Sequence, residues 1–422
     1  MKTIALLLFI TTYVLMIALP KKRVYVALIS AGLFLVLGIL PWSKFIDTIN
    51  WNVLMMISGT MIVVDFFIDS KMPNLLADIL LDKSKNVMWV TIFMSLFAGL
   101  ISAFIDNVAT VLMVAPVALV LCKKLKISPV PMVIAIAVSS NLQGAATLVG
   151  DTTSIMLGAY AHMDFLDFFW MNGRPGIFFA VELGAAATIP VMMFLFRKDK
   201  EPVNAEEKTL VKDYVPTILL ISVVVCLIGA SFIPGKPEIA NGLICMTIAL
   251  VSIVYNYWQT NSFEKTIKAL KSIDYSTLLL LTGLFIIIGG ITEVGVIDDI
   301  SKIFVKIGGD NLFLLYTLVV WLSVFLSAFI DNIPYVATML PVLTSVASIM
   351  GIQPYVLYFG LLSGATLGGN ITPIGASANI TGIGMLRKKG YEVSFKDFMR
   401  IGLPFTLSAV IVSYIFIWLV WA

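Results

Sequence analysis

Long apolar runs separated by short basic segments dominate the chain. KTIALLLFITTYVLMIALP (2–20), VYVALISAGLFLVLGIL (24–40), PTILLISVVVCLIGASFI (216–233), LICMTIALVSIVYNYW (243–258) and FTLSAVIVSYIFIWLVWA (405–422) approach or reach the length of a helical membrane span. No stretch shows the short alternation of apolar and polar positions that a transmembrane barrel needs. Four other stretches break the apolar pattern. Two are long runs, about 88–122 and 311–350, each with the hexapeptide SAFIDN near its middle, at 102–107 and at 327–332. The other two, SSNLQGAATLVGDTTSIMLG (139–158) and SGATLGGNITPIGASANITGIG (363–384), are apolar spans interrupted by Gly, Ser, Thr and Asn.

The SAFIDN copies lie 225 residues apart, and the register continues beyond them. Pro116 falls on Pro341, Gly144 on Gly369, Thr147 on Thr372 and Gly150 on Gly375. Upstream, SGTMIVVDFFIDS (58–70) aligns with TGLFIIIGGITEV (282–294) at an offset of 224, which places Asp69 on Glu293. A constant offset through so many positions predicts two structural repeats, 1–200 and 214–422, joined by a cytoplasmic linker at 201–213. Each repeat is expected to hold five crossings, a re-entrant helical hairpin with Asp-Asn at its tip (88–122 and 311–350), and a broken helix (129–162 and 354–386). Five is odd, so the second repeat is inverted relative to the first. The expected fold is an all-α polytopic membrane protein of two inverted-topology repeats.

A single kinked crossing could replace each hairpin, and the basic residues separate the two readings. With hairpins and the N-terminus outside, 22 of the 28 Lys and Arg residues fall in inside loops. Only Lys2, Lys44, Arg174, Lys236, Lys302 and Lys306 fall outside. That bias follows the positive-inside rule, and it places both termini outside the cell membrane. The same count leaves no Lys or Arg in the membrane interior. Asp106, Asp151 and Asp331 remain there, with Asp65 and Glu182 nearer span ends. The first apolar run is followed by KKRVYVAL without a small-residue cleavage site, so it reads as a retained helix, not a signal peptide.

Composition narrows the function. The chain is 59% hydrophobic and 13% charged, with a mean hydropathy of +1.00. Its net charge of +3 is spread over loops and marks no nucleic-acid surface. Cys122, Cys226 and Cys245 lack metal-ligand or paired spacing, and no phosphate-binding Gly-rich loop is present. ATP-driven pumping and a resident cofactor are therefore not expected; a coupling ion, Na⁺ or H⁺, is. Asp106 and Asp331 could form a carboxylate dyad, but no nucleophile–base pair accompanies them, so an enzyme is not expected. A channel is disfavoured because duplicated, inverted broken spans fit alternating access.

The broken spans and hairpin tips carry the candidate chemistry. Unwound backbone inside a membrane is tolerated where it lines a cavity, and its free carbonyls and half-helix ends can hold ions. Gly144, Gly150, Gly369 and Gly375 permit the break. Asn141, Thr147, Thr152, Asn370, Thr372, Ser377 and Asn379 supply oxygens. The alternative role of such residues is close helix packing. Asp106, Asn107, Asp331 and Asn332 at the tips are candidate Na⁺ ligands, since hard oxygen donors suit Na⁺ or a proton. The two Asp residues are also placed to cap the second arm of each hairpin. Asp151 has Ala376 as its repeat partner; it is a proton-coupling candidate or a helix cap on TTSIM. His162 reads as interfacial, and Phe168, Phe169 and Trp170 as an aromatic belt.

SAFIDNVATVLMVAPVAL, SAFIDNIPYVATMLPVL and SGATLGGNITPIGASANITG resemble the ArsB/NhaD family of the ion transporter superfamily, which includes citrate-transporter-like permeases. The likeness covers nearly the whole chain. The P protein group carries similar Asp-Asn hairpins and Gly-Gly-Asn-x-Thr loops, and LVGDTTSIML is more similar to the sodium/proton antiporter branch. The resemblance implies a scaffold domain and a mobile transport domain, an elevator motion and a homodimer. Dicarboxylate symporters of the superfamily carry Ser-Asn-Thr at the tips, whereas this chain has Asp-Asn-Val and Asp-Asn-Ile. Two like charges 4 Å apart repel by ~4 kcal/mol at an effective dielectric of about 20, so extra carboxylates disfavour a multiply charged anion unless Na⁺ neutralises them. Na⁺/H⁺-type antiport is expected first, arsenite or antimonite efflux second, and Na⁺-coupled di- or tricarboxylate transport third.

Overall fold

The computed structural model describes residues 1–203, 209–309 and 311–422. Part of the expected linker, 204–208, lies outside the described residues. The main helices come in one order twice. Lys2–Ala18, Arg23–Val36, Trp51–Asp69, Met72–Asp82, Val87–Ser102, Asn107–Lys124, Val130–Gly144, Thr152–Tyr160 and Ile177–Leu195 form the first series. Val215–Ser231, Ala240–Thr260, Tyr275–Glu293, Val296–Gly308, Leu312–Ser327, Asn332–Met350, Tyr355–Gly368, Ser377–Lys388 and Phe395–Trp421 form the second. A two-stranded ribbon, Trp170–Met171 against Arg174–Pro175, interrupts the first series.

Local chemistry sets the helix ends, and it recurs at the sequence offset. Asn50 caps its helix through the Val53 amide, and Asp274, 224 residues on, caps through Thr277, both at 3.1 Å. Asn86 and Asn311 do the same for the first arm of each hairpin, through Trp89 and Leu314. The left-handed turn before Met72–Asp82 falls on Lys71 (φ 61°), and the matching turn before Val296–Gly308 falls on Gly295 (φ 74°). Glycine takes this conformation freely, whereas the lysine holds it at some cost.

Packing also recurs with the series exchanged. Trp51–Asp69 packs along Ala240–Thr260, and Tyr275–Glu293 along Arg23–Val36. Lys268 meets Asp69 at 2.5 Å and Lys44 meets Glu293 at 2.7 Å; both members of the pair are shifted by 224. Val130–Gly144 and Tyr355–Gly368 are buried almost all round, as expected of helices with no polar face. Outer helices leave Leu7, Val14, Ile218, Val225, Leu250 and Leu419 exposed. An apolar exterior of this kind belongs in lipid.

Among the described residues, seven helices are long and apolar enough to cross a membrane, or up to nine if each bent pair counts as one span. Lys2–Ala18 and Pro20–Val36 form one such pair, bent by 115°. The expected hairpins appear as helix–break–helix units with breaks at 103–106 and 328–331. The expected broken helices are interrupted at 145–151 and at 369–376. Near the ribbon, the aromatic belt needs correction: Trp170 is exposed, but Phe168 is fully buried and belongs to the core. His162 is exposed, 3.8 Å from Glu238.

Candidate functional site

Each hairpin arm begins at its aspartate. Asp106 Oδ1 accepts the Val108 and Ala109 amides at 3.0 and 3.2 Å, and Asp331 Oδ1 accepts the Ile333 amide at 3.1 Å. The tips rest on the broken helices through small residues. Thr147 Oγ1 donates to the Ala103 carbonyl, and Thr372 Oγ1 to the Ala328 carbonyl. A Cβ on Gly150 would lie 2.6 Å from the Gly144 and Ser102 carbonyl oxygens. On Gly375 it would lie 2.5 Å from the Gly369 oxygen and 2.8 Å from that of Ser327. These two glycines are thus required by backbone approaching backbone. Gly144 and Gly369 sit where each first half-helix ends; their carbonyls accept Ser154 Oγ at 3.3 Å and Asn379 Nδ2 at 3.0 Å. Asn379 Nδ2 also reaches the Thr372 carbonyl, and its Oδ1 has no partner among the described residues.

A buried polar chain crosses the centre of the molecule. Asn107 Nδ2 donates to Asn141 Oδ1 at 2.9 Å and reaches Asp151 Oδ1 at 3.5 Å. Asn141 Nδ2 donates to the Thr366 carbonyl at 2.6 Å and Asn370 Oδ1 at 3.0 Å, and Asn370 Nδ2 to the Val138 carbonyl at 2.9 Å. Asp151 Oδ2 accepts Thr153 Oγ1 at 2.8 Å, and Thr153 lies 3.2 Å from Thr366 Oγ1. Asp151 is 3% exposed and Thr152, next along the chain, is also buried. Among the described residues, no Lys, Arg or His pairs with Asp151 or Asp106. An ionised carboxylate is costly to bury without a partner, so such a group holds a proton or a cation.

The second tip differs. Arg23 Nη1 lies 2.5 Å from Asp331 Oδ2, which also accepts Ser377 Oγ at 3.2 Å. This corrects the expectation that no Lys or Arg enters the interior. Arg23 is counted with the inside basic cluster, but it opens its helix, and its long side chain carries the guanidinium to the hairpin tip. Among the described residues Asn332 Nδ2 is buried without a partner; the positions matching Asn141 and Asp151 are Thr366 and Ala376.

Asp106 lines a pocket of about 130 Å³ with Thr60, Asp65, Ser272 and Asp274. A larger cavity of about 1010 Å³ lies elsewhere, floored by Met156, Ala337, Leu340 and Pro341, and touches none of the sixteen candidate residues. The buried polar chain is taken as the candidate site because Asp151 lies within it without a basic partner among the described residues. Sequence reasoning missed Ser102, Ser140, Thr153, Thr366 and Arg23. Ser140 Oγ donates to Ser102 Oγ at 3.1 Å and to the Asn107 carbonyl at 3.0 Å, and Ser327 Oγ to the Ala365 carbonyl at 2.5 Å. Ser102 and Ser327 open the duplicated SAFIDN, which was the available signal.

Interrupted helices around a buried polar chain, in an apolar shell, fit a polytopic membrane transporter. The chain belongs to the citrate transporter family, whose model matches residues 11–362. It is 30% identical over 431 residues to the uncharacterized transporter Mb2703 of Mycobacterium bovis, covering 99% of this chain and 98% of that one. It is 25% identical to the P protein of Homo sapiens over 85% of this chain and 52% of that protein. The fold is similar to the YdaH transporter of Alcanivorax borkumensis, with a TM-score of 0.63 at 13% identity, covering 89% of this chain and 87% of that one.

Proposed function

We propose that the chain is a cation-coupled secondary transporter that exchanges Na⁺ for H⁺ by alternating access. Asp106, Asn107, Asn141 and Asp151 form its ion site, and Asp151 carries the proton. The observation that carries this reading is Asp151, a 3% exposed carboxylate ringed by amide and hydroxyl groups with no basic partner among the described residues. Such a group alternates between a proton and a metal cation, because either one neutralises it. Thr366 and Asn370, joined to Asn141, link the ion site to the second broken helix.

The two repeats are inverted relative to one another, and the paired ion bridges Lys268–Asp69 and Lys44–Glu293 support this. Each bridge joins residues that the basic-loop count assigns to one side. So does Lys236–Asp164 on the outer side. A second reading, Na⁺-coupled carboxylate transport, is favoured by the citrate transporter family and by the unpartnered amide of Asn332. Purified protein in liposomes with an internal pH dye tests the first reading. An imposed Na⁺ gradient moves protons if it holds. If protons stay still while labelled citrate accumulates with Na⁺, the second reading replaces it.

A further inference from the structure

We infer that the two hairpin tips have different occupants: the first takes the transported monovalent cation, and the second holds a cation of the protein itself, the Arg23 guanidinium. This rests on the antiport reading above and limits it to one metal cation per chain. Sequence symmetry alone would give each tip its own ion.

Three observations break that symmetry. Both oxygens of Asp331 are engaged, Oδ2 by Arg23 and Ser377 and Oδ1 by the Ile333 amide. A metal ion there would have to displace a charge-assisted hydrogen bond of 2.5 Å and sit beside a positive guanidinium. Next, the first tip has no such arginine among the described residues. Gly59 backs onto the Cys245 backbone as Gly283 backs onto that of Ala27, which matches Arg23 with Asn241, four residues before each contact. Asn241 is neutral and accepts Lys236 Nζ at 3.3 Å. Finally, the two tips are built differently: Asn107 is joined to Asn141 and Asp151, whereas the positions matching those two by the repeat offset are Thr366 and Ala376, and the Asn332 amide has no partner among the described residues.

The Asp106 half is therefore rich in acceptors and lacks a cation, while the Asp331 half already has one. Arg23 acts as a specificity residue: it sets how many metal ions the duplicated site can hold. Removing it while keeping Asp331 opens the second tip to a metal ion. Removing both closes it again.

Equilibrium binding of ²²Na⁺ to the full chain in detergent tests this, with Tm recorded for each variant. The expected result is one Na⁺ per chain for the parent, two for Arg23→Gln, one for the Arg23→Gln/Asp331→Asn double variant, and none for Asp106→Asn. Two Na⁺ on the parent, or one on a folded Arg23→Gln chain, overturns the inference. If the parent binds no Na⁺, the antiport reading fails, and the counter-ion role is read from Tm alone. Arg23→Gln then lowers Tm and the added Asp331→Asn restores it; no restoration overturns the pairing.

Discussion

Asp151 and its counterpart Ala376 show how much a single position decides. The two stand at the same point of two broken helices, yet only one brings a carboxylate into a centre that is otherwise amide, hydroxyl and carbonyl. Asp151→Asn keeps the shape and removes the charge, so apparent Na⁺ affinity falls by about 10- to 100-fold, the equivalent of ~1.5–3 kcal/mol for a hydrogen bond to a charged group. Competition binding of ²²Na⁺ checks this, and unchanged affinity would remove Asp151 from the site. Protons and Na⁺ compete for the same oxygens, so Na⁺ affinity of the parent falls as pH falls, and the Asp151→Asn chain loses most of that dependence. At this scale sequence reading identified the carboxylates, because they are conspicuous among apolar residues. It missed Arg23, which sits beside Lys21 and Lys22 and reads as a loop charge until the helix start and side-chain reach are known.

Helices and their breaks were the most legible level. Duplicated SAFIDN, followed by Gly and Thr at a fixed offset, marks stretches where the helices break, at 103–106 and 328–331 and at 145–151 and 369–376. Caps on Asp106 and Asp331 explain why: a carboxylate that accepts first-turn amides fixes where an arm begins. Sequence could not say which glycines permit a break and which let backbones touch. Gly150→Ala and Gly375→Ala drive a methyl group into carbonyl oxygens of the neighbouring segment, and each is expected to cost ~1–3 kcal/mol or prevent folding. Gly384→Ala, in a helix with open space around it, is the control and is neutral or stabilising by up to ~1 kcal/mol. Thermal melts followed by size-exclusion chromatography separate the three, and equal stability across them would refute the close approach.

At the scale of the whole molecule, the proposed orientation rests on charge. It puts His162, exposed near Glu238, on the outer side and Lys126, after the helix Asn107–Lys124, on the inner side. In a cysteine-free background, His162→Cys is labelled by an impermeant thiol reagent in intact cells, and Lys126→Cys only after permeabilisation. The reverse pattern would invert the topology. The bent first pair, Lys2–Ala18 and Pro20–Val36, was not legible as such, because apolar length reports a span and not its angle.

In the proposed exchange a metal cation and a proton share the Asp106–Asp151 site. Its most direct test is proton movement driven by Na⁺, K⁺ or Li⁺ gradients in liposomes, for the parent and for folded Asp106→Asn and Asp151→Asn chains. Na⁺-driven proton movement in the parent, lost in both variants, is the predicted result. A parent that moves no protons under any gradient, or variants that match it, would rule out a shared site.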